Sequence, residues 1–270
     1  MYDTRLWQSR GTINLLPMRI HFLELIWYKT IAELRAEAAR SYVGFLWWVI
    51  EPVMYMAAFY VIFKLGFKGG GENFVPFLLC GLVTWKWFNS SVSSSSRSIK
   101  ANKGLMRQVY LPKFIFPIIT VSINTIKFMI VFGLFICFLL LYGYTPTTLW
   151  LILPVLVFIQ FVLILAFSSL AASLIPFIPD LRLILDNLLT LMFFLSGIFF
   201  DISKIPAELQ SILKINPMAV MIESYRSVLL SGQMPETYYL TRVFLGSLAV
   251  ISLAYWILNK FDRTYPKVLV

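Results

Sequence analysis

The sequence predicts an all-α membrane protein with six transmembrane helices, an N-terminal amphipathic interfacial helix and a short extracytoplasmic helical hairpin between spans five and six. Three observations carry this. Of the 270 residues, 59% are hydrophobic and 13% charged, whereas a soluble domain has about a quarter charged residues and under half apolar ones. Six stretches are apolar over the roughly 20 residues that a spanning helix needs. Lysine and arginine are spread unevenly over the segments that join those stretches. The composition excludes a soluble enzyme.

Taken in order, residues 1–43 read as a cytoplasmic N-terminus. Met1 to Arg19 is polar and basic, with no signal-peptide core. Over 20–40, Leu23, Trp27, Ile31, Leu34 and Ala38 recur at helical spacing, with Glu24, Lys29, Glu33, Glu37 and Arg40 mostly off that stripe. Such a helix is expected to lie in the membrane surface. Spans are predicted over 44–66, 74–96, 114–142, 148–177, 182–200 and 238–259. The second ends in a polar run from Asn89 to Ser96, tolerated because serine bonds the carbonyl one turn back or a neighbouring helix. The basic loop 97–113 follows it. Residues 201–232 are too long for a simple turn. Ile205-Pro206 and Asn216-Pro217 each place proline at a helix start, with Asn216 as N-cap and Gly232 as the C-terminal stop. Residues 260–270 form a short tail.

Orientation follows from the bases. With both ends cytoplasmic, the inner segments hold Arg5, Arg10, Arg19, Lys29, Arg35, Arg40, Arg97, Lys100, Lys103, Arg107, Lys113, Arg182, Lys260, Arg263 and Lys267. The outer segments hold only Lys64, Lys68, Lys204, Lys214, Arg226 and Arg242. That is the positive-inside bias of a plasma-membrane protein, and it accounts for the net charge of +10 without nucleic acid.

Catalytic and metal chemistry find little support. Cys80 and Cys137 both sit in apolar runs and His21 is the single histidine, so there is no metal-ligand spacing. No G-x-x-x-x-G-K-[ST] is present, so the chain holds no P-loop for ATP. Ser196-Gly197 has no histidine base on a suitable segment. The residues alone describe a six-span protein with neither motor nor catalytic centre, which fits a transporter or a scaffold.

The segment Arg40-Ser41-Tyr42-Val43-Gly44-Phe45-Leu46-Trp47-Trp48-Val49-Ile50-Glu51-Pro52 resembles the start of the first span of polysaccharide-export ABC transporter permeases. Gly81-Leu82-Val83-Thr84-Trp85-Lys86-Trp87-Phe88, Ser98-Ile99-Lys100-Ala101-Asn102-Lys103-Gly104-Leu105, Leu111-Pro112-Lys113, Ser196-Gly197-Ile198-Phe199-Phe200, Ile205-Pro206, Asn216-Pro217-Met218 and Tyr225-Arg226 follow in the family's order. The resemblance covers most of 20–232. It implies an inner-membrane permease that dimerises, recruits two copies of a separate ATPase carrying ATP and Mg, and exports a lipid-linked glycan such as O-antigen or capsule polymer. One departure is a charge reversal. Where the family often has a basic–aromatic pair, Glu37-Ala38 stands here.

Under that resemblance, aromatic faces suit a sliding sugar polymer because they stack on C–H faces without fixing one hydrogen-bond geometry. Trp48, Tyr55 and Phe59 fall on one helical stripe through Pro52, beside Trp47 and Glu51. Tyr42, Phe199 and Phe200 join them as candidate path residues. A packing or lipid-facing role for the same rings stays open. Trp85 and Trp87 lie on opposite faces and are not expected to line one path together. Glu51, Lys86 and Lys127 are intramembrane charges, which ask for a functional hypothesis or a partner. Glu51 and Lys86 lie at similar depth, roughly 10–15 Å in at 1.5 Å per residue, so they are expected to pair, with Lys127 the alternative. A pair that only fixes packing is equally open. Asp186 is the i,i+4 partner of Arg182. The small patch Ser168, Ser169, Ala171, Ala172 and Ser173 suits close packing inside the subunit. ATPase coupling falls to Glu33 and Glu37 on the N-terminal helix and to Arg97, Lys100, Lys103 and Arg107 in the loop. An outer gate falls to Pro206, Asn216, Pro217, Tyr225 and Arg226. A drug or small-lipid permease, or a scaffold for glycan synthesis, is the alternative reading.

Overall fold

The computed structural model describes residues 17–40, 42, 44–61 and 73–268. Arg5, Arg10, Lys64, Lys68, the outer end of the first predicted span and the Phe59 side chain lie outside the described residues. Every regular element among the described residues is helical. In chain order they are α1 (Pro17–Ala39), α2 (Trp47–Tyr60), α3 (Phe74–Ser95), α4 (Ser98–Ala101), α5 (Lys103–Gln108), α6 (Ile115–Tyr142), α7 (Leu153–Leu174), α8 (Leu181–Leu195), α9 (Ala207–Leu213), α10 (Pro217–Arg226), α11 (Thr237–Lys260) and α12 (Tyr265–Val268).

Among the described residues, three helices are long and apolar enough to cross a membrane: Ile115–Tyr142, Thr148–Leu174 (a 3₁₀ turn leading into α7) and Thr237–Lys260. Two other predicted spans fall short for identifiable reasons. The final turns of α3 are the serine run, and α8 has 15 residues. At 1.5 Å per residue α8 alone reaches about 23 Å, against roughly 30 Å of hydrocarbon.

Helix α3 is the centre of the bundle. It packs on α2, α6, α7, α8 and α10, and Leu78, Leu79, Trp87, Phe88 and Val92 are all buried. In lipid the hydrophobic effect does not hold helices together, so close packing and polar contacts must. Both occur. Small residues let α7 approach its neighbours, with Ser168, Ala172 and Ser173 fully enclosed, and α7 packs at length on α11 and on α3. Across the α3–α7 seam, Gln160 Nε2 donates to the Thr84 carbonyl at 2.9 Å. Only Leu189 of α8 is buried, and Leu183, Ile184, Leu191 and Phe194 leave an apolar face uncovered.

The N-terminal helix α1 packs along α6. Lys29 bonds Asn102 Oδ1 and sits 5.4 Å from the Phe116 ring, whereas Glu37 reaches Lys127. Those steps are about 12 Å along α1 and about 16 Å along α6, so the two helices run the same way. Thr30 and Leu34 are buried, while Leu23 and Trp27, which head the predicted apolar stripe, are exposed.

The basic loop is two short helices with a buried underside. Ile99 and Met106 pack with Phe116, Ala172, Leu258 and Tyr265. The C-terminal tail closes this cluster. Tyr265 donates to the Ser173 carbonyl at 2.9 Å, Tyr110 donates to Asp262 at 2.8 Å, and the buried Lys113 lies 3.6 Å from the same carboxylate. The Asp262 carboxylate raises the Tyr110 phenol above its ordinary value. Lys113, read from the sequence as a topology charge, is thus an internal anchor.

Residues 201–232 form the two expected helices, but they are not one surface hairpin. The α9 side is mostly exposed, whereas Met218, Ala219, Met221, Ile222 and Tyr225 of α10 are fully enclosed. The reason is packing: α10 is inserted against α3, α7 and α11. Asn216 caps it, accepting from Met218 N at 3.0 Å and donating to Ser196 Oγ at 2.8 Å. A π-helical turn then ends at Gly232, whose φ of +60° suits glycine.

Candidate functional site

The α1–α2 corner stands against the wall formed by α3 and α6, and between them opens a cavity of about 510 Å³. Trp47, Trp48, Glu51, Pro52 and Tyr55 face it from α2, and Glu37 from α1. From α3 come Leu79, Leu82, Val83, Trp85, Lys86, Trp87, Asn89, Ser90 and Ser94; from α6, Asn124, Lys127, Phe128 and Val131; and from α8, Phe193. A 3₁₀ turn from Gly44 to Leu46 starts the corner, and the backbone of Gly44 at φ +59° is one that a residue with a Cβ rarely adopts.

Two ion pairs bridge this cavity. Lys86 Nζ lies 2.6 Å from Glu51 Oε1, the partnership that equal depth predicts. Lys127, the alternative partner, instead holds both oxygens of Glu37 at 2.6 Å. Each ammonium also sits over an aromatic face, Lys86 at 5.5 Å from the Tyr55 ring and Lys127 at 5.4 Å from that of Trp48. Such contacts are worth about 0.5–1 kcal/mol when exposed and more when dry. Glu37 therefore reaches across to α6 while its side chain stays about half exposed. Its side chain is within reach because α1 follows α6.

The aromatic wall is firmly seated. Trp87 stacks on Phe128 with centroids 4.0 Å apart and donates to Thr125 Oγ1 at 3.3 Å, and Trp85 packs on Phe193 and Phe88. Both nevertheless border the cavity, which corrects their exclusion. Facing helices make the pocket wide enough to meet two sides of α3, with Lys86 between the rings. Trp48 and Tyr55 line the same space. Tyr42 does not, being fully exposed in the turn after α1. Phe199 stands behind the cavity, edge-on to Phe193 at 5.2 Å, and Phe200 is half-buried outside the lining. Both follow α8 where the chain turns at Gly197, whose φ is +69°.

The remaining candidates divide by position. Arg97, Lys100 and Arg107 are exposed on the outer side of α4–α5, with Lys103 half-buried, and Glu33 is exposed on α1. Arg182 and Asp186 form the i,i+4 pair at 3.9 Å. Pro206 is exposed, and Pro217 opens α10 at a half-buried position. Tyr225 and Arg226, grouped with a gate from the sequence, belong to the core. Arg226 donates to the carbonyls of Phe77 (3.1 and 3.0 Å), Gly197 (2.6 Å) and Ile198 (2.9 Å), with its guanidinium 3.4 Å over the Phe77 ring. Gly81 permits this: a Cβ there would lie 2.9 Å from the guanidinium. Sequence spacing offered no signal for this knot.

A second cluster also left no signal in the sequence. The buried Lys214 pairs with Glu236 at 2.6 Å and Glu223 at 3.6 Å, and lies 4.8 Å from the Tyr239 ring. Burial works against the Lys214 charge, but these carboxylates outweigh it and hold its pKa above the ordinary value; burial likewise raises Glu223, against the pull of Lys214. The cluster ties α9 and α10 to α11.

Sequence comparison extends these findings. The O-antigen export system permease protein RfbA of Klebsiella pneumoniae is 28% identical over 251 residues, covering 92% of this chain and 96% of that protein. Its namesake from Myxococcus xanthus is 30% identical over 206 residues, 76% of this chain and 79% of that one. The polysialic acid transport protein KpsM of Escherichia coli is 27% identical over 222 residues, 76% and 81% of the two chains. The profile of the ABC-2 type transporter matches residues 24–230, a stretch that runs from within α1 through α10 and so holds every residue of the cavity. On that match, over most of its length, the chain belongs to the ABC-2 type transporter family.

Proposed function

We propose that this chain is the membrane permease subunit of an ATP-driven exporter of lipid-linked polysaccharide, O-antigen first and capsular polymer second, in the bacterial inner membrane. The similarity to the O-antigen and polysialic acid proteins supports the substrate class. The observation that carries the reading is the cavity between α2, α3 and α6. Tryptophan and tyrosine faces alternate there with amide, hydroxyl and carboxylate groups, the surfaces along which a glycan can stack and exchange hydrogen bonds.

In this reading α2, α3, α6, α7, α8 and α11 are six spans with both termini cytoplasmic, as the distribution of basic residues requires. Two copies form a homodimer with the conduit at their interface; the uncovered face of α8 and the exposed Trp47 and Met54 of α2 support a further helix or lipid there. ATP and Mg bind a separate ATPase, two copies per dimer. It docks against the exposed bases of α4–α5, and the buried underside of those helices passes its motion to α6, α7 and the tail. On the outer side α9 is the part free to move, hinged on the anchored α10.

The test is deletion of the gene in its host followed by location of the lipid-linked glycan. Export predicts polymer accumulating on the cytoplasmic side and lost from the cell surface, with recovery by the wild-type gene. Unchanged surface glycan sinks the proposal and favours a small-lipid or drug substrate.

A further inference from the structure

We infer that the cavity selects uncharged glycan over polyanionic glycan, and that Glu37 and Glu51 set this preference. The inference rests on reading the cavity as a glycan path. Among its lining residues the charges balance: two ammonium groups, Lys86 and Lys127, against two carboxylates, Glu51 and Glu37, each pair at 2.6 Å. The two lysines stand on the wall helices α3 and α6, and both carboxylates come from the α1–α2 corner. The wall does not need those carboxylates to cohere, since Trp87 already stacks on Phe128 and bonds Thr125.

The energetics follow from the surroundings. The rest of the lining is mostly aromatic and aliphatic, so a charged sugar that stacks against it sheds part of its water of hydration, at a cost. It gains no net attraction in return, because each ammonium already has a carboxylate partner, and its own carboxylate meets Glu37 and Glu51 as like charges. A neutral sugar has no charge to desolvate. Its C–H faces stack on the rings, and its hydroxyls donate to the carboxylates. Without the two carboxylates, the same wall would present two unpaired ammonium groups and favour anions. The preference therefore comes as much from what Glu37 and Glu51 repel as from what the rings attract.

The experiment uses the permease with its ATPase partner in nanodiscs. Tryptophan fluorescence is titrated with a neutral glucose oligomer and with oligosialic acid of equal length, at low and high salt. The wild type is expected to bind the neutral oligomer about tenfold or more tightly. In the double variant Glu37→Gln/Glu51→Gln, oligosialic acid gains about tenfold relative to the neutral oligomer, and raising salt reduces that gain. A swapped pair, Glu51→Lys with Lys86→Glu, keeps the balance and retains the wild-type preference. If the double variant does not assemble, Glu51→Gln alone carries the test, because the Lys86 it frees is half exposed. Equal binding of both probes by the wild type, or no gain in the glutamine variants, overturns the selection and leaves the glycan path standing. Binding of neither probe contradicts the glycan path itself.

Discussion

Arg226 and the lysines of the cavity are all cations among apolar helices, yet they are neutralised differently. The Arg226 guanidinium spreads its donors over the backbone carbonyls of Phe77, Gly197 and Ile198, which cannot rotate away without unfolding a helix end or a turn. Lys86 and Lys127 instead meet carboxylates at the ends of flexible side chains, on a neighbouring segment and across an open cavity. The rigid fork of arginine suits the first task, and the compact ammonium suits the second. The contrast teaches that the junction of α3 with α10 is fixed by cation-to-backbone contacts, while the cavity is held by side-chain partners that can be exchanged.

The largest effect expected from breaking this contrast is at Arg226. Arg226→Ala removes the side-chain donor from three carbonyls, two of them in buried bonds, at about 1–3 kcal/mol for each buried one, so thermal melting in detergent is expected to show a large loss of cooperatively folded protein. Arg226→Lys restores only part, since one ammonium cannot span all three carbonyls. Normal melting of the alanine variant would show that the knot is dispensable. Next comes the cavity. Trp48→Ala/Tyr55→Ala is expected to melt like the wild type and to assemble with the ATPase, while surface glycan falls about tenfold or more; normal export would remove these rings from the path.

How much of this contrast could be read from the sequence depends on the dimension involved. Depth along a span is a one-dimensional count, and it found Glu51 and Lys86 together. Local caps were equally readable: Asn216-Pro217 and Gly232 bound the α10 segment through short-range chemistry. The lateral arrangement was not readable. Nothing in the period of α1 says that it follows α6, so the partnership of Glu37 with Lys127 and the exposure of Tyr42 were out of reach. Motif order grouped Tyr225 and Arg226 with an outer hairpin, because proximity in sequence hides that α10 is inserted among α3, α7 and α11. Phe199 fails as a cavity residue for a similar reason, since the turn at Gly197 sets it behind Phe193.

Smaller changes sharpen the comparison. Tyr265→Phe removes the bond to the Ser173 carbonyl and is expected to cost about 1 kcal/mol, lowering the melting temperature by about 2–4 °C. An unchanged melting temperature would make the tail a passenger on the α4–α5 cluster. Smallest of all, Glu51→Gln is expected to shift stability by less than about 1 kcal/mol, because its Lys86 partner keeps access to solvent. A loss as large as that of Arg226→Ala would erase the distinction between the two regions.

A glycan path through the cavity can be read in living cells with a photocrosslinking residue placed at Trp48 or Tyr55, and at the exposed Leu151 or Leu253 for comparison. Glycan adducts are expected at 48 and 55, dependent on a working ATPase, and none at 151 or 253. Adducts at 151 or 253 with none at 48 and 55 would contradict a path through the cavity.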